Sequence, residues 1–266
     1  MYQLGNLPYQ KIELPAATWS ASDSKDAYLQ NAVDVVYYIN LDRSTNRREE
    51  MEISVLSDRA LDNIPIHRIP AVDGKDRRAL DTLYPAWTAV PQTPLELGCL
   101  FSHMSAIRSF AMDDRYTDYA LIFEDDVTME YKPTWRVPLK EVLAKAPLGW
   151  DVLMLGVILF RDKIAHWYNA NDRAQFCSTL AYVITKEAAK RFTQQHWIND
   201  NELRLPLPYT KAADVYLYQA MKTYVFGYPY FTYPIENDSL LHPDHLPIHE
   251  RSKQIIDGIV YSNQNK

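Results

Sequence analysis

The sequence contains few cysteines and no long hydrophobic run, and both absences narrow the class of protein. Its two cysteines, Cys99 and Cys177, cannot build a disulfide framework, so a reducing compartment is the expected environment. The longest apolar stretch, residues 152–160, is far too short to span a bilayer. The first residues also lack the basic and then apolar pattern of a secretory signal. We therefore expect a soluble protein of the cytoplasm, either free or at the inner face of a membrane, with no transmembrane segment.

An excess of positive charge is missing as well. The formal net charge is −6 at pH 7, which argues against nucleic acid or an anionic membrane surface as the main partner. Hydrophobic residues make up 47% and charged residues 23% of the 266 residues, so the composition predicts an ordinary globular protein with one core and elaborations. Aromatic residues are abundant, with 19 Tyr, and their rings suit either a core or stacking against sugars and bases.

The chain divides into a short arm and one long domain. Residues 1–32 are polar and punctuated by prolines, and they are predicted to form an irregular arm. After the arm, a strand at 33–41, a helix at 42–61 and a strand at 64–72 follow one another. This β-α-β order is typical of the start of a parallel, nucleotide-binding sheet, and it predicts a domain that covers residues 33–266.

Further strands and helices alternate along the rest of the chain. Apolar residues at helical spacing follow a cap at Thr93, and an apolar strand begins at Tyr119. The later predictions are a helix at 136–147, a strand at 150–157, a strand running into a helix at 178–196, a helix at 212–223 and a strand at 224–235. This alternation predicts an α/β fold.

Three adjacent carboxylates, Glu124, Asp125 and Asp126, end the apolar strand that begins at Tyr119. Adjacent anions repel one another, so they need either a cation or bulk water. Ligands of open α/β sheets bind at the carboxyl ends of strands, and in extended backbone Glu124 and Asp126 point the same way. Their hard oxygens suit Mn²⁺ or Mg²⁺, which would bridge a diphosphate. The simpler alternative is a solvated acidic turn.

A second polar set follows the first predicted strand. Arginine binds phosphates and stacks on bases, so this set is a candidate for contact with a nucleotide. The alternative is a helix surface with Arg–Glu pairs, such as Arg47 with Glu50. The members of the set are Asn40, Asp42, Arg43, Arg47 and Arg48.

Isolated polar residues complete the candidates. Ser102 and His103 are adjacent on a predicted helix, where a single histidine is more often structural than catalytic. Asp214 lies near a helix start, where a cap is the simple explanation. Three histidines in a late Pro-rich stretch are spaced too loosely for a zinc site, although one of them could complete the shell of another metal. They are His242, His245 and His249.

Taken in order, these segments resemble glycosyltransferase family 25, which includes lipooligosaccharide galactosyltransferases and collagen hydroxylysine galactosyltransferases. The resemblance is carried by "YYINLDRSTNRREEM", "RIPAVDG", "ELGCLFSHMSAIRSF" and "ALIFEDDV", with weaker similarity in "TLAYVITKEAAKRF", "ADVYL" and "YPIENDS". It covers residues 33–239.

The resemblance implies a GT-A type fold, that is, a single Rossmann-like nucleotide-binding domain with a mixed, mostly parallel central sheet. It also implies an inverting hexosyltransferase that uses a UDP-sugar, typically UDP-galactose or UDP-glucose, together with Mn²⁺ (or Mg²⁺). By position, Glu124 and Asp126 would bind the metal, His242 is a guess for a third ligand, and Asp214 would be the general base. The residues expected near the donor are Asn40, Asp42, Arg43, Arg48, Ser102, His103 and Asp125.

An inverting transferase needs one base on the acceptor hydroxyl and no covalent intermediate. The expected acceptor is a glycan, a lipid-linked glycan or a hydroxylysine-type hydroxyl, and the lack of a luminal signal favours the first two. A second copy of the chain, forming a homodimer, is a further expected partner. Two other classes stay open: a metal-dependent phosphohydrolase, and a non-catalytic carbohydrate-binding protein on the same fold.

Overall fold

The structure is a computed structural model that describes residues 24–159, 167–169, 176–205, 212–235 and 245–262. Seven strands in these residues form one sheet, and two short strands form a separate hairpin. The strands of the sheet are β1 (Val35–Asn40), β2 (Ile66–Pro70), β3 (Tyr119–Glu124), β4 (Val152–Leu159), β5 (Trp167–Asn169), β6 (Phe176–Thr185) and β9 (Thr223–Phe226). The hairpin pairs β7 (Trp197–Asn199) with β8 (Glu202–Leu203).

The order of the strands across the sheet is β2-β1-β3-β6-β4-β9-β5. Pairing is parallel between β1 and β2, β1 and β3, and β4 and β9. It is antiparallel where β6 pairs with β3 and β4, and where β5 pairs with β9. Five strands therefore share one direction, and β6 and β5 run against them. The predicted α/β fold with a mixed, mostly parallel central sheet is confirmed.

Helices cover both faces of this sheet. All six residues of β1 are buried, and its side chains alternate between two apolar clusters. Val35, Tyr37 and Ile39 pack in one cluster, whereas Val36 and Tyr38 pack in the other. Burial on both faces explains why this strand reads as a continuous apolar run without alternation. The helices are α1 (Thr45–Met51), α2 (Arg77–Leu83), α3 (Pro94–Met112), α4 (Leu139–Ala144), α5 (Lys186–His196), α6 (Ala213–Ala220) and α7 (Leu246–Ser262).

The packed domain begins before residue 33. Residues Lys25–Tyr28 form a 3₁₀-helix, and Tyr28 and Leu29 are buried in the core. The Lys132 ammonium pairs with the carboxylates of Asp26 and Asp58, which ties this segment to the domain. The last part of the predicted irregular arm is thus folded onto the domain, while residues 1–23 lie outside the described residues.

Two of the elements that differ in length from the sequence predictions have an evident local cause. The helix predicted at 42–61 is interrupted, because α1 passes into a π-helical segment at Glu52–Leu56. The hydroxyls of Ser54 and Ser57 donate to carbonyl oxygens four residues earlier, each at 2.6 Å, and such back-bonding bends helices. The strand predicted at 224–235 ends at Phe226, since Pro229 cannot donate to a strand ladder.

Among the helices of the described residues, none has the length and apolar character that crossing a bilayer requires.

Candidate functional site

Three parallel strands end at the same edge of the sheet. In the register of β1, Asn40 pairs with Pro70 of β2, and Ile39 pairs with Glu124 of β3. The polar residues that follow these strands therefore meet at the carboxyl edge, as the sequence predicted from the position of ligands in open α/β sheets. Two cavities open at this edge.

The first cavity, which we call the β1–β2 cavity, has a volume of 160 Å³. It lies between the ends of β1 and β2 and the first turns of α3. Its polar lining includes Asn40, Arg43, Arg47, Lys75, Ser102 and His103.

The second cavity, which we call the β6–α6 cavity, has a volume of 280 Å³. Its polar lining includes Ser178, Thr179, Asp214, Tyr233, His245 and His249. Cys99, Glu124 and Asp126 line both cavities. These three side chains therefore form a shared wall.

Arg47 compensates part of the negative charge of the acidic trio, Glu124, Asp125 and Asp126. Its guanidinium lies 3.1 Å from Asp125 Oδ1 and 2.7 Å from Asp126 Oδ2. Asn40 donates its amide to the other oxygen of Asp125 at 2.7 Å. The alternative pairing of Arg47 with Glu50 on a helix surface is wrong, because α1 turns Arg47 towards the end of β3.

Glu124 is held by side chains from two further elements. Thr179 of β6 donates to Glu124 Oε1 at 2.5 Å, and His103 Nε2 of α3 lies 3.2 Å from the same oxygen. The other ring nitrogen of His103 lies 3.1 Å from the hydroxyl of Tyr182, and the His103 side chain is 1% exposed. His103 is thus fixed by two partners and positions Glu124 at the shared wall.

Electrostatics differ among the three acids. Burial and then the charge of Glu124 raise the pKa of Asp126 to about 6, against the opposing effect of Arg47. Burial also raises the pKa of Asp125, although Arg47 and Asn40 act in the opposite direction. Burial raises the pKa of Glu124 too, but His103, Thr179 and Arg47 together lower it below its usual value. Asp126 is therefore the carboxylate whose ionisation the fold compensates least.

The acidic trio is left short of positive charge. Among the described residues, Arg47 is the one arginine or lysine that pairs with it, so three carboxylates share a single guanidinium. Asp126 Oδ1 and Asn40 Oδ1 are buried and have no hydrogen-bond partner among the described residues. A buried oxygen without a partner is costly, and hard oxygens next to uncompensated charge fit a hard divalent cation.

Ser102 holds the wall of the β1–β2 cavity rather than pointing freely into it. Its hydroxyl donates to the carbonyl of Gly98 at 2.6 Å and accepts from the backbone N–H of Val72 at 2.8 Å. A Cβ at Gly98 would lie 2.7 Å from the carbonyl oxygen of Val72 and from the nitrogen of Gly74. The small residue lets α3 approach the loop after β2, and Ser102 fastens that contact.

Only some of the other residues expected near the donor line the β1–β2 cavity. Arg43 lines the β1–β2 cavity and pairs with Asp73 at 2.7 Å. Asp42 is 78% exposed and pairs with Arg68 outside the cavity. Arg48 lines neither cavity. The structure therefore brings Asn40 and Arg43 to the cavity but not Asp42 and Arg48.

Asp214 is fixed at the start of α6. Its Oδ1 accepts the N–H of Val215 at 2.6 Å, and its Oδ2 accepts the N–H of Ser178 at 3.1 Å. Ser178 has φ 106°, a conformation that costs about 1–3 kcal/mol for a residue with a side chain. The hydroxyl of Tyr218 donates to the carbonyl of Ser178 at 2.5 Å and holds it there. Asp214 is thus not the cap of α6, which begins after Ala212, and its carboxylate fastens the strained Ser178 of β6 at the β6–α6 cavity.

The structure describes two of the three late histidines. His245 and His249 line the β6–α6 cavity, and His242 lies outside the described residues. The third metal ligand therefore stays a prediction.

Some site residues have weak signals in the sequence. Cys99 precedes His103 by four residues in a helix, a spacing that puts both on one face and could have identified Cys99. Thr179 and Tyr182 lie in a strand with no distinguishing pattern, and their contacts to Glu124 and His103 arise only from the pairing of β6 with β3.

A comparison with protein families bears on the class of protein to which this chain belongs. Residues 33–146 match glycosyltransferase family 25 (LPS biosynthesis protein). The resemblance predicted from the sequence is confirmed over this segment, and the match supports a glycosyltransferase. The matched segment runs from β1 to the end of α4, so it includes the β1–β2 cavity and the acidic trio but not Asp214. No curated protein matches the chain.

Proposed function

We propose that this glycosyltransferase moves a hexose, galactose or glucose, from a UDP-sugar to an acceptor hydroxyl with inversion of the anomeric carbon. One observation carries the proposal: Glu124 and Asp126 lie on the wall between two cavities of different chemistry. Three cationic side chains line the β1–β2 cavity beside its acids, whereas the described lining of the β6–α6 cavity has no arginine or lysine and contains the carboxylate of Asp214. A single displacement at the shared wall would have the leaving group on one side and the base on the other.

The β1–β2 cavity is suited to the nucleotide part of the donor. Arg43 and Lys75 line it, and guanidinium and ammonium groups bind phosphates. Ile39, Leu41 and Val72 add apolar surface for a base or ribose. A cavity with this lining at the carboxyl ends of parallel strands is the usual position of a nucleotide in open α/β sheets.

The acidic trio fits a divalent cation next to the diphosphate. Glu124 and Asp126 would hold Mn²⁺ or Mg²⁺, and the unpartnered Asp126 Oδ1 supports this assignment. Such an ion would offset the negative charge that grows on the departing diphosphate. Arg47 pairs with Asp125 and Asp126 and adds a fixed positive charge to that side.

Asp214 is the proposed general base. Two backbone N–H groups fix its carboxylate, and each oxygen keeps a lone pair for an acceptor hydroxyl. A positioned base of this kind contributes about 10²–10⁴-fold to the rate. Because the base removes only a proton, the proposed reaction needs no covalent sugar–enzyme intermediate.

The proposed acceptor binds in the β6–α6 cavity. Tyr233 and His249 offer ring faces at its wall, and Pro234 and Ile248 add apolar surface. The description of the matched family, an LPS biosynthesis protein, favours a glycan or a lipid-linked glycan over a hydroxylysine-type hydroxyl.

A donor screen with the Asp214→Asn variant tests the proposal. UDP-, GDP- and CMP-sugars are compared for thermal protection and for release of the nucleotide, with and without Mn²⁺. We expect protection by a UDP-hexose with Mn²⁺ in both proteins, and a rate of transfer about 10²–10⁴-fold lower in the variant.

Three results would contradict the proposal. Equal rates in the two proteins would remove Asp214 as the base. Release of inorganic phosphate without sugar transfer would favour a phosphohydrolase. Binding of sugars that depends on neither UDP nor Mn²⁺ would favour a non-catalytic carbohydrate-binding protein.

A further inference from the structure

A thiol, an imidazole and a carboxylate converge on the wall shared by the two cavities. One ligand atom from each of Cys99, His103 and Glu124 lies within 4.8 Å of the other two. Ligands bound to a tetrahedral ion at about 2.0–2.3 Å are about 3.3–3.8 Å apart, so a contraction of about 1 Å would close the three side chains around an ion. The set comes from two rigid elements, since Cys99 and His103 are on α3 and Glu124 ends β3.

The histidine of this set is already oriented. Its Nδ1 is held 3.1 Å from the Tyr182 hydroxyl, and its Nε2 faces Glu124 at 3.2 Å. Histidines that bind metals usually have the second ring nitrogen fixed by a hydrogen bond in this manner. Cys99 is half-buried and lines both cavities, which gives an ion a path from solvent.

The donor atoms differ in kind from those of the Glu124 and Asp126 pair. Sulfur and imidazole nitrogen select Zn²⁺ or Co²⁺, whereas carboxylate oxygens alone select Mn²⁺ or Mg²⁺. Burial and then the charges of Glu124, Asp214 and Asp126 raise the pKa of the Cys99 thiol, so it is protonated in the metal-free protein. The same negative charges attract a cation, and a bound ion would displace the thiol proton to solvent.

We propose that Cys99, His103 and Glu124 form a binding site for a thiophilic divalent ion such as Zn²⁺ or Co²⁺. Glu124 belongs both to this site and to the proposed hard-ion site with Asp126, so the two ions compete for one carboxylate. Binding of the thiophilic ion replaces the contact between His103 and Glu124. A thiophilic ion would therefore inhibit a reaction that depends on Mn²⁺ or Mg²⁺.

Titration of the full-length, tag-free protein with Co²⁺ tests the site by absorption spectroscopy. We expect a thiolate-to-cobalt charge-transfer band in the wild type and in Cys177→Ser, the matched control that removes the other cavity thiol. Cys99→Ser should lose the band. Tyr182→Phe should keep the band but weaken Co²⁺ binding by about 10–100-fold, because His103 loses its orienting partner.

Any of three results would overturn the proposal: no band in the wild type, a band that persists in Cys99→Ser, or loss of the band in Cys177→Ser. Should Cys99→Ser fail to fold, alkylation of the wild type gives a second measurement. Zn²⁺ is expected to protect Cys99 but not Cys177 from iodoacetamide, as read by mass spectrometry, and equal labelling of Cys99 with and without Zn²⁺ would contradict the site.

The Asp126→Asn variant separates this inference from the proposed function. It should keep the charge-transfer band, because Asp126 is not a ligand of the thiophilic ion, even though the hard-ion site is disrupted. Loss of the band in Asp126→Asn would show that the two sites are one. A band without any sugar transfer would leave the metal site standing while the proposed function failed.

Discussion

Acidic side chains lie at both edges of the central sheet, at the amino ends of the strands and at the carboxyl ends. At the amino edge, Asp151 pairs with Arg191 at 2.6 Å and accepts the N–H of Lys222 at 2.9 Å. Asp34 accepts the backbone N–H groups of Thr117 and Asp118 at 2.9 and 2.6 Å. At this edge the acids join the loops that begin the strands, and their charge is compensated by neighbours.

The carboxyl edge is compensated less completely. Three carboxylates share Arg47, and Asp126 Oδ1 is buried without a partner among the described residues. A buried oxygen without a partner calls for an explanation, and a bound ligand would provide one. The contrast between the edges supports the proposal that the acidic trio binds a ligand, whereas the acids at the amino edge hold the loops together.

Cavity size alone would favour the amino edge. The amino edge has a cavity of 1020 Å³, larger than either cavity at the carboxyl edge. Three of its charged side chains are engaged with the protein, however: Asp151 pairs with Arg191, and Lys186 donates to the carbonyls of Phe110 and Asp113 at 2.5 and 2.6 Å. The proposal of a site at the carboxyl edge therefore depends on the chemistry of the lining and not on cavity volume.

The largest expected effect comes from exchanging one acid at each edge for its amide. Asp126→Asn should lower the rate of sugar transfer at least about 10²-fold, because the ion that stabilises the leaving diphosphate loses a ligand. Asp151→Asn should leave the rate per folded molecule unchanged and lower the free energy of unfolding by about 1–3 kcal/mol. The initial rates of sugar transfer and the free energies of unfolding in urea are measured for both variants. Equal loss of rate in the two variants would erase the distinction between the edges.

A smaller effect, on stability, is expected from replacing Arg47, the arginine that pairs with the acidic trio. Arg47→Met leaves Asp125 and Asp126 without a guanidinium, so the free energy of unfolding should fall by about 2–4 kcal/mol in EDTA. Mn²⁺ should restore more stability to this variant than to the wild type, because the ion replaces the missing positive charge.

Arg43→Met is the matched control for this experiment. The Arg43 side chain is 43% exposed where it pairs with Asp73, and its loss should cost less than about 1 kcal/mol. A similar cost for both arginine variants would mean that Arg47 does not carry the charge balance of the site.

The smallest effect concerns the pH dependence of stability. The pKa of Asp126 is raised from 3.8 to about 6 in the folded protein, so folding is favoured while this group is protonated. That contribution is complete below about pH 4 and is lost as the pH rises through about 6. Without metal, Asp126→Asn should therefore be more stable than the wild type at pH 8, by on the order of 1–2 kcal/mol, and the difference should vanish near pH 4. Urea unfolding at the two pH values measures it, and a variant less stable than the wild type at pH 8 would contradict the charge imbalance.

Much of the fold follows from the sequence pattern. The apolar runs that become β1 and β3 are buried on both sides, so they lack alternation and stand out from amphipathic helices. The position of the acidic trio followed from the same reasoning, since it depends only on where an apolar strand ends. Helix α3 was also predictable, because Thr93 and Glu96 form a capping box at its start.

The partners within the site could not be predicted in this way. Helix α1 has polar residues around most of its circumference, so no periodicity shows that Arg47 faces the acids while Arg48 does not. The contact of Thr179 with Glu124 depends on β6 running antiparallel between β3 and β4, a pairing that local patterns do not encode. The strained Ser178 likewise results from an irregularity in the pairing of β4 with β6.

The central claim is that Glu124 and Asp126 hold a divalent ion against the diphosphate of the donor. Titration of the full-length protein with Mn²⁺, followed by the electron paramagnetic resonance signal of the free ion, tests it directly. We expect that one Mn²⁺ binds per chain, that UDP tightens the binding, and that Asp126→Asn abolishes this UDP-dependent binding. Mn²⁺ binding that is indifferent to UDP, or equally tight in Asp126→Asn, would contradict it.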